Sequence, residues 1–309
     1  MAKLLHESGF ELTVLDNLST GHREAVKWGN FVEADIRDAE ALDKTFSDRK
    51  IDAVMHFSAK SLVGESVEHP EMYFDNNVVG SKQLLDAMQR HGISKFIYSS
   101  TAAVYGMPEN DAIAEDHQTT PINPYGETKL AVEHMLQQYA DIGIRSVALR
   151  YFNAAGADAS GDIGEAHNPE THLIPNILKS ALSAGDLRLK IFGTDYPTPD
   201  GTCVRDYIHV SDLAEAHLLA LKYLDTAEGF NVFNLGSGEG FSVKEVLNSC
   251  EQVLGEAIAH DLEERRPGDP PILVANSDKA RTVLAWQPKY ENLETIVGSA
   301  LNWHKKQAY

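Results

Sequence analysis

Apolar positions along the chain follow two periods. Short runs, ELTVLD (11–16), GNFVEAD (29–35), DAVMHFSA (52–59), SKFIYSS (94–100) and RSVALRYF (145–152), have the length and the β-branched and aromatic content of strands. Between them the spacing is helical: DAEALDKTFSD (38–48), a long helix following Pro70 with Leu84, Leu85, Ala87 and Met88 on its apolar face, and a second long helix from Pro124. Near-continuous apolar strands separated by helices predict a parallel sheet covered on both faces. Residues 1–152 therefore read as a doubly wound α/β domain. After 152 comes a long polar loop containing glycines, NAAGADASGDIGEAHNPETH (153–172), then helices over 172–184, 210–224, 242–254 and 291–306 with short strands between. This predicts a smaller α/β lobe over 153–309, with parts of 203–235 returning to the first domain.

The opening MAKLLHESG predicts a helix ending at Gly9, and the next strand closes on Asp16. A helix followed by a strand ending in an acid is the second half of a dinucleotide-binding βαβ unit. The first half, a strand and a glycine-rich turn, is expected ahead of Met1. A polypeptide without that turn is expected to hold NAD poorly, because the turn brings a helix N-terminus to the pyrophosphate. The alternative reading is thus a truncated or inactive nucleotide-sugar-binding relative.

Composition narrows the class. The 309 residues carry 27 basic and 46 acidic side chains, a net charge of −19, which argues against nucleic-acid binding through a basic surface. No apolar run reaches the ~20 residues of a membrane span, and no secretory signal is evident. Two cysteines, Cys203 and Cys250, fit a reducing cytoplasm. The thirteen histidines show no metal-ligand spacing, so no metal centre is expected.

Candidate chemistry lies in NPYGETKLAVEHML (123–136). Asn123 suits an N-cap and Pro124 the first helical position, which puts Tyr125 and Lys129 at i and i+4 on one face. An ammonium beside a phenol favours the phenolate, which can take a proton from an alcohol while a hydride leaves the same carbon. An ordinary exposed Tyr/Lys pair has the same spacing, so the pattern is weak alone. Its context strengthens it: SSTAAVYG (99–106) follows a predicted strand at the sheet edge where α/β folds bind ligands, and Thr101 could face the same substrate oxygen. A capping hydroxyl is the plainer role for Thr101. A second glycine-rich turn, FNLGSGEGFSVKEVL (233–247), is GxGxG rather than GxGxxG, so a dinucleotide site there is not expected.

Together SSTAAVYG, PYGETK, LRYFNAAGA, IFGTDYPTPDGTCVRDYIHV and VRDYIHVSDLAEAH resemble the extended short-chain dehydrogenase/reductase family, over the whole chain, and within it the subgroup that epimerises UDP-hexoses at C4. The resemblance implies oxidation to a 4-keto sugar by resident NAD and re-reduction on the other face, with Tyr125 as base, Lys129 lowering its pKa and Thr101 on the reacting oxygen. Related 4,6-dehydratases carry an Asp-Glu pair after the Ser/Thr; here Ala102 and Ala103 stand there and cannot move a proton. For the cofactor the resemblance implies Asp16 and Asn17 at the adenosine ribose, favouring NAD over NADP, Asp35 and Ile36 at the adenine, and Phe57, Ser58, Asn76, Tyr125, Lys129 and Phe152 along the rest. For the UDP-sugar it implies Thr101, Asn153, His172, Leu173, Phe192, Arg205, Arg266, Asp269 and Leu273. It further implies a homodimer through the helices near 70–91 and 124–141, and leaves another UDP-sugar as an alternative substrate.

Overall fold

The computed structural model describes every residue except 109–111, 184–186, 267 and 307–308. The last residue of the helix expected over 172–184 thus lies outside the described residues. In the first half the strands are β1 (Thr13–Asp16), β2 (Asn30–Glu33), β3 (Val54–His56), β4 (Lys95–Thr101), β5 (Ala112–Ile113), β6 (Arg145–Tyr151) and β7 (Asn153–Ala155). The helices there are α1 (Ala2–Glu7), α2 (Ala39–Ser47), α3 (Val63–Glu68), α4 (Pro70–Tyr73), α5 (Gly80–Arg90) and α6 (Pro124–Ala140). The second half adds β8 (Leu189–Phe192), β9 (Val204–Arg205), β10 (Tyr207–His209), β11 (Phe230–Leu235), β12 (Phe241–Ser242), β13 (His260–Glu263) and β14 (Ile272–Ala275). Its helices are α7 (Leu173–Leu182), α8 (Val210–Tyr223), α9 (Val243–Leu254), α10 (Asp278–Val283) and α11 (Leu293–Lys306).

The architecture is α/β and Rossmann-like. The central sheet is parallel in the order β11-β6-β4-β3, so a strand from 230–235 sits beside one from 145–151. Its two faces are covered as the apolar runs demand. Helices α2, α5 and α6 close one face through Leu42, Leu85, Met88, Val132 and Leu136 against Phe96, Tyr98 and Ala148. Helix α8 and Trp286 close the other against Ile97, Val147, Leu149 and Phe233. The expected single sheet is, however, in two pieces: β1 and β2 form a separate parallel pair, and among the described residues β1 and β3 each pair on one side.

Local signals fix several helix starts. Asp38 accepts the backbone N–H groups of Glu40 and Ala41 at the head of α2, and Asn123 accepts that of Gly126 at the head of α6. Ser242 and Glu245 form a reciprocal capping box on α9. One expectation fails. The long helix after Pro70 is not continuous: the segment begins earlier, at Val63, and Phe74–Val79 forms a π-turn between α4 and α5. Asn76, Asn77, Val78 and Val79 supply little α-helical propensity there. The turn places Asn77, fully buried, so that its Nδ2 donates to the Lys60 carbonyl and to Thr128 Oγ1, both at 3.0 Å. Its Oδ1 accepts the Lys60 N–H at 2.8 Å. The loop after β3 is thereby tied to α6 between Tyr125 and Lys129.

The GxGxG turn has an internal occupant. Asp206 accepts the N–H groups of Ser237 at 2.8 Å, Gly238 at 3.1 Å and Ala275 at 3.1 Å, and the Ser237 hydroxyl at 2.8 Å. A Cβ on Gly236 would lie 2.4 Å from Asp206 Oδ2, so glycine is what lets the carboxylate in. The amides that would cradle a phosphate are already used by a side chain. Asp206→Ala strands three amide donors, of which that of Ala275 is buried and costs about 1–3 kcal/mol unpaired. A loss of unfolding free energy of that size, read as a lower urea midpoint at unchanged m-value, is the expected result.

Candidate active site

At the C-terminal end of β4 the chain turns through Ala102–Val104, capped by Thr101, whose Oγ1 accepts the Ala103 N–H at 3.1 Å. Thr101 therefore does serve as a cap, and its hydroxyl is near enough to the Tyr125 phenol to favour the phenolate. Helix α6 can approach this turn because residue 126 is glycine: a Cβ there would lie 2.6 Å from the Ala103 carbonyl. Lys129, one turn after Tyr125, donates to the Ser99 carbonyl at 2.9 Å. Its Nζ lies 4.9 Å from the centre of the Tyr98 ring and 5.9 Å from that of Tyr125. Ser99 in turn bonds the Tyr151 hydroxyl.

The electrostatics differ from expectation. Burial raises the Tyr125 phenol above its ordinary pKa, opposed by the Thr101 hydroxyl. Lys129 is itself pushed down to about 7, chiefly by burial and against the pull of Glu133. A lysine that is half neutral near pH 7 and bonded to a carbonyl does little to favour the phenolate in the cofactor-free protein. The sign for stability follows. Below pH 7 the ammonium is charged in both folded and unfolded chains, and the folded one bears the full desolvation cost; that cost fades as pH rises from 7 to the ordinary lysine value of 10.5. Lys129→Met is therefore expected to raise the melting temperature of the cofactor-free protein at pH 7, with the gain vanishing by pH 10.5. A melting curve lowered at pH 7 would contradict this.

The continuation of the Tyr125–Lys129 stripe is Glu133, which the sequence reading missed. It is buried with Arg150 of β6: Arg150 Nε donates to Glu133 Oε1 at 2.9 Å, and a second guanidinium nitrogen pairs with Oε2. The Ser100 hydroxyl donates to Oε1 at 2.6 Å. Arg150 also donates to the Tyr105 hydroxyl at 2.9 Å, and Tyr105 donates to Asn234 Oδ1 at 2.6 Å. A charged residue inside the apolar run RSVALRYF was the available signal.

The other implied residues fall into groups. At the ends of β1 and β2, Asn17 Nδ2 donates to Asp35 at 2.8 Å, and Asp16 Oδ1 accepts the Leu18 N–H at 2.7 Å. Asp16 Oδ2 has no hydrogen-bond partner among the described residues, which suits an acceptor for a ribose hydroxyl. Asp35 is less free. Arg37 gives it three bonds, at 2.7–2.9 Å, and holds the carboxyl well below its usual range. Ile36 is buried against Gly80. Phe57, exposed, stacks near His217 at 4.9 Å, with Ser58 following it. Asn76 donates to Asn77, which carries the structural bonds. Phe152 and Leu273 pack on Ala102, Val104 and Tyr105, beside Thr101.

On the other lobe, Arg205 is paired with Asp269, and Leu273 stands opposite Arg205 in the β9–β14 register. Arg266 lies over the Phe192 ring at 4.2 Å. Asn153 donates its backbone N–H to the Asp206 carbonyl at 3.0 Å. His172 and Leu173 stand at the head of α7, which shares a core with β8. The histidines are not all scattered, contrary to expectation: His167 and His172 converge with Glu165 and Glu170. Sequence spacing hid this because the four ligands alternate with loop residues.

Residues 1–236 match the model of the family described as NAD dependent epimerase/dehydratase. The UDP-glucose 4-epimerase of Halalkalibacterium halodurans is 52% identical over 306 residues, covering 99% of this chain and 91% of that one. Among solved structures, UDP-glucose 4-epimerase from Brucella ovis in complex with NAD superposes with a TM-score of 0.94 at 48% identity, over 97% of this chain and 92% of that one. The enzyme from Bifidobacterium longum in complex with NAD+ and UDP gives 0.93 at 37% identity, over 98% and 93%.

Proposed function

Since this chain belongs to the NAD dependent epimerase/dehydratase family, we propose that it interconverts the C4 epimers of a UDP-hexose, UDP-glucose and UDP-galactose, by transient oxidation of the sugar. The observation that carries this reading is the Thr101 hydroxyl facing the Tyr125 phenol, beside buried Lys129, at the C-terminal end of β4. In it two hydroxyls that can hold one substrate oxygen stand next to a lysine one helical turn away.

The side chains fit a dinucleotide: Asp16 Oδ2, without a hydrogen-bond partner among the described residues, suits a ribose, and a buried tyrosine and lysine on α6 stand by the C-terminal end of β4. Asp16, Asn17, Asp35, Ile36, Phe57, Ser58, Asn76 and Phe152 would hold it, with Lys129 on the nicotinamide ribose. When bound, NAD+ supplies the hydride acceptor and the hydride that is returned. Tyr125 as phenolate would take the 4-hydroxyl proton and return it to the same oxygen once the sugar has turned over. Thr101 holds the reacting oxygen through both events. Arg205 and Arg266 offer planar donors to the diphosphate, which anchors the sugar while it turns. Phe192, held under Arg266, offers a face to the uracil. Asp269, Asn153, His172, Leu173 and Leu273 complete the walls. Ala102 and Ala103, beside Thr101, provide no acid or base for dehydration. Exposed Val67 and Phe74 on the Val63–Arg90 segment support a homodimer through these helices.

The test is conversion of UDP-galactose to UDP-glucose in the presence of NAD+, followed by a UDP-glucose-specific coupled assay. Absence of conversion at saturating NAD+ overturns the reading.

A further inference from the structure

The loop between β7 and α7 carries a cluster of which the proposed substrate site uses only His172. One ligand atom each from Glu165, His167, Glu170 and His172 lies within 4.8 Å of the other three. Both histidines turn Nδ1 toward the same carboxylate oxygen, Glu165 Oε1; the His167 distance is 3.0 Å. Glu170 Oε1 stands 3.5 Å from His167 Nδ1. The rings meet edge to face at 5.2 Å. Two imidazole nitrogens aimed at one oxygen need either two protons or one cation between them.

The carboxylates are built in rather than loose on the surface. The Glu170 side chain is 4% exposed, and its Oε1 already accepts the N–H groups of Thr171 at 2.9 Å and His172 at 3.0 Å. Its Oε2 is buried with no hydrogen bond, its nearest cation being Lys179 Nζ at 3.5 Å. The Glu165 side chain is 16% exposed, and its carbonyl accepts Trp303 Nε1 at 2.8 Å. The loop is also held by His22 Nε2 on the Ala166 carbonyl at 3.0 Å.

We propose that Glu165, His167, Glu170 and His172 form a structural binding site for a divalent transition-metal ion, zinc by ligand type, that fastens the 156–172 loop to the head of α7. Two imidazoles and two carboxylates suit zinc over calcium or magnesium, which take oxygen ligands. Bond lengths near 2.0–2.2 Å put tetrahedral ligand atoms roughly 3.4 Å apart. Contraction from the observed spread needs under an ångström from each side chain. Two carboxylates and two neutral imidazoles carry a charge that a divalent cation cancels.

The experiment uses tag-free protein stripped with a chelator and titrated with ZnCl2 by calorimetry, and separately with CoCl2 in the visible range. One zinc per chain and the d–d absorption of tetrahedral cobalt are expected. His167→Gln, at a residue with no assigned part in catalysis or substrate binding, is expected to weaken zinc binding by more than about 100-fold, beyond the usual loss from a supporting partner. It should also abolish the cobalt bands while circular dichroism stays unchanged. Glu165→Gln is the second variant and should do the same. Equal zinc binding in wild type and both variants, or cobalt binding without tetrahedral bands, overturns the proposal.

Discussion

Tyr125→Phe is expected to lower kcat for UDP-galactose by about 10³-fold, within the range that a positioned acid–base group supplies. The fold should survive, because only a hydroxyl is removed and the ring keeps its place in the first turn of α6. KM should change little, since the hydroxyl acts on the reacting oxygen rather than on the nucleotide. The pH profile gives a sharper readout. Burial raises the Tyr125 phenol, so kcat/KM of the wild type should climb with pH through the neutral range as the phenolate fraction grows. Residual activity of the phenylalanine variant should be flat there. A variant with near-normal kcat would mean that another group takes the proton.

Arg150→Met is expected to cost about 3–5 kcal/mol of folding stability, as breaking a buried ion pair from one side does. Glu133 would keep its Ser100 bond and lose its guanidinium, leaving a carboxylate in the core between α6 and β6. Tyr105 would lose a donor as well. The double variant Glu133→Leu with Arg150→Met should recover most of that loss, since both charges leave together. Urea midpoints of the single and double variants at constant m-value check both statements. A double variant as unstable as the single would mean that the network's worth lies in Tyr105 and Asn234. Because Glu133 is on the same helical stripe as Tyr125 and Lys129, the single variant should also impair turnover in the fraction that stays folded.

Much of this was legible in the sequence, for reasons that differ by element. The β4 and β6 runs announce themselves because strands buried on both faces must be apolar throughout. Asn123, Pro124 and the Tyr125–Lys129 step were readable because capping and i,i+4 geometry are local. The GxGxG turn was set aside on spacing, but its occupant, Asp206, lies thirty residues upstream and could not be read from the turn. Long-range polar partners explain the other misses. Glu133 and Arg150 meet only once α6 lies on β6, and the direction of the Tyr125 pKa depends on burial that no spacing rule reports. Asp35 is expected at the adenine, yet two residues on stands the arginine that binds both its oxygens. The histidine–glutamate cluster escaped because a loop, not a helix face, gathers it.

The π-turn at Phe74–Val79 carries a further consequence when it is counted rather than drawn. It holds a residue that an α-helix of the same span would not need. Remove one residue and the segment could run straight, each later position turning by about 100°. Asn77 would swing off Thr128 and Lys60, and Gly80, whose missing side chain makes room for Ile36, would face elsewhere. What presses the loop after β3 onto the helix of Tyr125 is thus a surplus in chain length: the distance is stored as a number of residues, and a better helix would be a shorter and misaligned one.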